Sequence, residues 1–136
     1  MAEDVLVKEF LSDSMIKAGA ELTRILIQDE MKWLVTASMW FYFPEENRWK
    51  LLFSSSSVGK EGPKHAYQHI QEAIGRLPQD IPKVNLKDIS VMDNSHPLIS
   101  LMKIAIRTGE GISGIRFSRN AINGQLIEDA YIYRLL

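Results

Sequence analysis

Trp33-Leu34-Val35-Thr36-Ala37-Ser38-Met39-Trp40-Phe41-Tyr42-Phe43, followed by Pro44-Glu45-Glu46-Asn47 and then by Arg48 to Val58, is the stretch on which the fold turns. Both flanks are rich in aromatic and β-branched residues, which suit a pleated surface, and the four residues between them carry turn chemistry. The segment reads as a β-hairpin. Strand alternation sends Val35, Ala37, Met39, Phe41 and Phe43 to one face and Leu34, Trp40 and Tyr42 to the other. A strand apolar on both faces is expected in the middle of a sheet.

On the amino-terminal side, Met15, Ala18, Gly19, Leu22, Ile25 and Leu26 recur at three- and four-residue steps, the spacing of one helical face. Val7, Phe10 and Leu11 keep the same phase, which extends the expected helix back towards Asp4. An exposed Gly19 in mid-helix would cost about 1 kcal/mol relative to alanine; a buried one permits close packing.

On the carboxyl-terminal side, Gly62-Pro63 opens a second helix with proline in its first turn and Ala66, Ile70, Ala73, Ile74 and Leu77 as its apolar stripe. Asp88 to Met92 reads as a short strand. Asp93-Asn94-Ser95 and Pro97 announce a third helix, with Leu98, Leu101, Met102, Ala105 and Ile106 inward. A strand from Ile115, a hairpin turn at Asn123-Gly124 and a last strand through Tyr133 complete the chain. The order α-β-β-α-β-α-β-β predicts a single α+β domain over residues 1–136, with a mainly antiparallel or mixed sheet and helices mostly on one face.

Composition narrows the function classes. With 136 residues, 46% of them hydrophobic, the chain can bury a core without metal or disulfide staples. Its 16 basic and 17 acidic residues leave a net charge of −1, so no global field favours nucleic acid or an anionic membrane. The absence of cysteine removes thiolate catalysis and cysteine-based metal sites. Met1-Ala2-Glu3-Asp4 lacks the basic-then-apolar layout of a secretory signal, and the uncharged run from Trp33 to Pro44 is far short of the ~20 residues of a membrane helix. A cytoplasmic location without membrane partners is the expectation.

Gly109-Glu110-Gly111-Ile112-Ser113-Gly114 spells the G-x-G-x-x-G pattern of nucleotide phosphate sites, with Asp129 20 residues beyond the first glycine. A dinucleotide site needs these glycines after a strand and before a helix, so that helix N–H groups meet the pyrophosphate. Here the order is reversed, and Gly109 reads instead as the left-handed cap of the third helix. The functional alternative is a small-ligand or enzymatic domain in which an anion is held by a backbone nest at Gly109, Gly111 and Gly114, with Arg107, Arg116 and Arg119 nearby in sequence.

Other candidates lack partners. His65 and His69 sit four apart on one helical face, a spacing that can hold a transition metal, but no H-E-x-x-H run supplies the remaining chemistry. No cofactor is expected. Ser54 to Ser57 has no nucleophile elbow around it. Glu128 and Asp129 are strand neighbours and so point to opposite faces, one of them inward. No strand-borne acid followed by E-x-K supplies an endonuclease metal site. Lys103, Arg107, Arg116, Arg119 and Arg134 could form a basic strip, but Glu110, Glu128 and Asp129 dilute it, and nucleic acid is not the expected partner.

The aromatic hairpin remains. If helices cover one face of the sheet, Trp40 and Tyr42 form an apolar patch on the other, so the expected role is a non-catalytic interaction or accessory module that self-associates or binds a protein partner. Trp40, Tyr42 and Trp49 are the expected contacts, with Arg116 and Arg119 setting charge complementarity at the rim.

Overall fold

Burial on both faces of the aromatic hairpin is met by a helix layer on each side of one sheet. The computed structural model describes residues 7–29 and 33–136. Its elements are α1 (Asp13–Gln28), β1 (Ala37–Phe43), β2 (Arg48–Ser55), α2 (Ser57–Glu61), α3 (Pro63–Gly75), a 3-10 turn (Leu86–Asp88), β3 (Ile89–Asp93), α4 (Pro97–Ala105), β4 (Ile115–Ile122) and β5 (Gln125–Leu135). The α+β order is the one the sequence pattern gives, with the short α2 and the 3-10 turn added.

The five-stranded sheet runs β3-β2-β1-β5-β4, with β1 in the middle as its two apolar faces require. Only β2 and β3 pair in parallel; the other three pairings are antiparallel, so the sheet is mixed. A parallel pair needs a crossover, here supplied by α2 and α3. Asn123 and Gly124 both have positive φ, 50° and 78°, the geometry of the tight turn their sequence predicts between β4 and β5.

Two cores result. On one face α1 and α3 bury Trp40, Tyr42, Trp49, Leu51, Phe53 and Tyr133. On the other, α4 alone covers Met39, Phe41, Leu52, Ala130 and Ile132 through Ile99 and Met102. Gly19 is the closest point of the first layer: α1 approaches until the Tyr133 hydroxyl donates to the Ile16 carbonyl and Trp40 Nε1 donates to that of Met15, 3.0 Å away. Thr23 Oγ1 and Ser38 Oγ, 2.7 Å apart, satisfy each other where α1 crosses β1.

Local details depart from the sequence pattern for identifiable reasons. Helix α1 begins at Asp13, because the Ser12 side chain accepts from Met15 N at 3.1 Å and caps it there. Residues 7–12 are not helical, and the expected start near Asp4 lies outside the described residues. Pairing in β1 starts only at Ala37, so Val35 packs in the core of Trp40 rather than that of Ala37 and Met39. Strand β2 stops at Ser55, and Ser57 already belongs to α2.

Candidate functional site: the Asp129 corner and two concavities

β4 and β5 place Ser118 opposite Asp129 and Arg116 opposite Tyr131. Arg116 therefore reaches Asp129 along the strand, donating from Nε and Nη2 to its two carboxylate oxygens at 2.7 Å each, while Ser118 Oγ donates at 2.5 Å. Lys8 Nζ adds a fourth bond at 2.6 Å. The Asp129 side chain is only 4% exposed. Burial pushes its carboxyl up, but the hydrogen bonds from Arg116, Lys8 and Ser118 outweigh that and hold it well below the usual carboxylate range. Asp129 is thus a fixed anion, unsuited to proton transfer at neutral pH.

Aromatic rings complete the corner. Lys8 Nζ stands 4.9 Å from the Tyr42 ring centroid and 5.7 Å from that of Trp49, and the Arg116 guanidinium carbon lies 5.6 Å from the same indole. These are cation–π distances.

Lys8 is brought there by an amino-terminal strap, residues 7–11, tied down through Asn47 in the β1–β2 turn. Asn47 Nδ2 donates to the Val7 carbonyl at 3.0 Å, and its Oδ1 accepts from Glu9 N at 2.8 Å and from the Tyr42 hydroxyl. Trp49 Nε1 donates to the Glu9 carbonyl at 2.9 Å. Within the strap Lys8 reaches the Asp129 corner, Val7 and Phe10 are 82% and 78% exposed, and Leu11 is buried.

Two concavities flank the sheet. A groove of about 620 Å³ lies between the strap, α1, the β1–β2 hairpin and residues 82–88, lined by Phe10, Met15, Trp40, Trp49 and Val84 among charged neighbours. Arg48 closes its end by bonding the Lys87 carbonyl and the Asp88 carboxylate. On the α4 side a smaller depression of about 310 Å³ is lined by Phe41, Phe43, Leu98, Leu126 and Ile127 together with Glu45 and Glu128. Leu126 is 62% exposed.

Against these sites the expected residues fall as follows. Trp40, Tyr42 and Trp49 are 3%, 5% and 4% exposed, covered by α1 and the strap. The open aromatic patch expected on their face does not form, because α1 and α3 lie on that face and not on the opposite one. Arg116 is committed to Asp129, and Arg119 extends into solvent with Nε 3.6 Å from Glu128 Oε1. The basic strip that the sequence left possible is broken: Arg134 is buried, Lys103 Nζ donates to Asn94, and Arg107 lies beyond the end of α4.

The glycine segment corrects the helix-cap reading. α4 ends at Ala105 with Ile106 in extended conformation, so Gly109 caps nothing. No residue from 107 to 114 has positive φ, and a nest requires that alternation. The end of β5 takes one N–H of the segment and that of the residue before it: Ser113 N donates to the Tyr133 carbonyl at 2.6 Å and Thr108 N to that of Leu135 at 2.8 Å. Gly109, Gly111 and Gly114 are left as exposed links of a connecting segment.

His65 and His69 do meet, ring centroids 4.8 Å apart, but His69 stacks on Trp33 and His65 faces Glu61 at 3.3 Å. Among the described residues no three His, Cys, Asp or Glu side chains converge as a metal site. Ser54 is buried against Thr36, and Ser55 Oγ accepts from Ser57 N. No described helix is long and apolar enough to cross a membrane.

Sequence reasoning missed Lys8, Asn47 and Leu126. The signal for the first was Asp129 itself: an acid at an inward strand position beside Ala130 demands cationic partners. No family model, curated protein or solved structure matches the chain.

Proposed function

We propose that this protein is a non-catalytic interaction module whose contact surface is the α4 side of the sheet. The observation carrying this reading is the depression of mixed polar and apolar lining that includes Phe43, Leu98 and the largely exposed Leu126. Among the described residues one nine-residue helix is the helical cover over that face, and it leaves Phe43, Leu98, Leu101 and Phe117 partly accessible. Hydrocarbon left in a depression among polar groups is the anatomy of a contact site. Glu45 and Glu128, the latter facing Arg119, give the lining two carboxylates, which favours a protein segment presenting an apolar anchor flanked by basic residues. The buried rings of Trp40, Tyr42 and Trp49 support the scaffold from the other face.

A photo-crosslinking side chain at position 126, compared with one at the exposed Gln71 of α3, tests the reading in cells. One discrete adduct from position 126, absent from position 71 and lost in a Glu45→Lys/Glu128→Lys background, is expected. An adduct the size of a dimer of this chain would identify the partner as a second copy and overturn the basic-segment assignment; equal adducts from both positions, or none, would overturn the surface.

A further inference from the structure

We propose that the corner made by Asp129, Tyr42 and Trp49 is an alkylammonium-binding site that Lys8 occupies as an internal ligand. The ligand class is read from the group already seated: an ammonium 2.6 Å from a buried carboxylate oxygen, with two aromatic rings inside 6 Å. A carboxylate plus ring faces is the chemistry that selects primary and methylated ammonium groups. Arg116 and Ser118 preorganise Asp129, so the anion stays in place whether or not Lys8 does.

The strap that delivers Lys8 is built to leave. Apart from Leu11 it buries little hydrocarbon, Val7 and Phe10 being exposed, and beyond the Lys8–Asp129 pair itself it is held by the Asn47 and Trp49 hydrogen bonds. An external ammonium therefore competes with a tethered one, whose effective concentration is of millimolar order. The site lies on the opposite face from the α4 depression and does not depend on that reading.

Lys8→Ala removes the internal ligand and leaves a space that n-propylammonium matches atom for atom. Its thermal midpoint should rise by about 3–5 °C at ten times the dissociation constant of propylammonium. n-Propanol should give no rise, and the wild-type chain much less than Lys8→Ala at the same concentration. The Trp49 indole N–H resonance should shift along the same titration, locating the ligand even if an added Asp129→Asn change fails to fold. Tighter binding of Nα-acetyl-lysine amide would assign a protein lysine as the natural source, and tighter binding of spermidine a free polyamine. No rise in Lys8→Ala, or an equal rise in the wild type, would overturn the assignment.

Discussion

Gly19 of α1 faces the hydroxyl end of Tyr133 so closely that a Cβ on it would stand 2.5 Å from both Tyr133 Oη and Trp40 Nε1. Those two polar ends are themselves fixed, each donating to a carbonyl of α1. Gly19→Ala should therefore destabilise the protein by about 1–3 kcal/mol through overpacking, against a helix-propensity gain of about 1 kcal/mol. Urea unfolding measures the balance. An alanine variant as stable as the wild type would mean that α1 can lift off the sheet without loss.

Asp129→Asn should remove about 2 kcal/mol at neutral pH. Breaking one side of a buried pair costs about 3–5 kcal/mol, but Arg116 and Lys8 are 47% and 39% exposed and solvent screening reduces the figure. The sign with pH follows from the depressed carboxyl: its contribution is present above the unfolded value of about 3.9 and is lost as pH falls below it towards the folded one. Denaturation from pH 6 to pH 3 should begin to close the gap between the two stability curves, the remainder closing below pH 3. Curves that stay parallel down to pH 3 would place the stabilisation elsewhere.

Asn47 has φ 47°, so replacement by glycine removes its side chain while keeping the backbone relaxed. Asn47→Gly should free the strap locally: faster hydrogen exchange at Glu9 N and Trp49 Nε1, with protection in α3 unchanged. A uniform rise in exchange across the sheet would instead make the strap part of the global folding unit.

Hydrophobic periodicity sufficed for the order of elements and for the central position of β1, because both faces of Met39-Trp40-Phe41-Tyr42 had to be buried. The same pattern was silent on which helices cover which face: α1 and α3 stripes fit either side equally well. That single ambiguity inverted the expected surface, moving Trp40 and Tyr42 into the core and leaving Leu126 outside. The strap was invisible for a related reason. Val7, Phe10 and Leu11 continue the helical phase of α1, and only the Ser12 cap and the distant Asn47 and Asp129 contacts pull that stretch out of the helix.

The glycine segment gives the sharpest contrast within one chain. At Gly109 and Gly111 φ is not positive and an added Cβ would meet nothing within 4 Å, so neither position requires glycine. Alanine at either should be neutral or stabilise by up to about 1 kcal/mol, by reducing the freedom of the unfolded chain. At Gly124 space is equally open but φ is 78°, and alanine there should destabilise by about 1 kcal/mol or more. Thermal unfolding of the three single variants separates conformation from space. Phosphate titration of the double Gly109→Ala/Gly111→Ala variant and the wild type should leave the amides of residues 109–114 unshifted in both. A saturable shift in the wild type, lost in the double variant, would restore a phosphate site to this segment and require a conformation different from the extended one that ties Thr108 and Ser113 to β5.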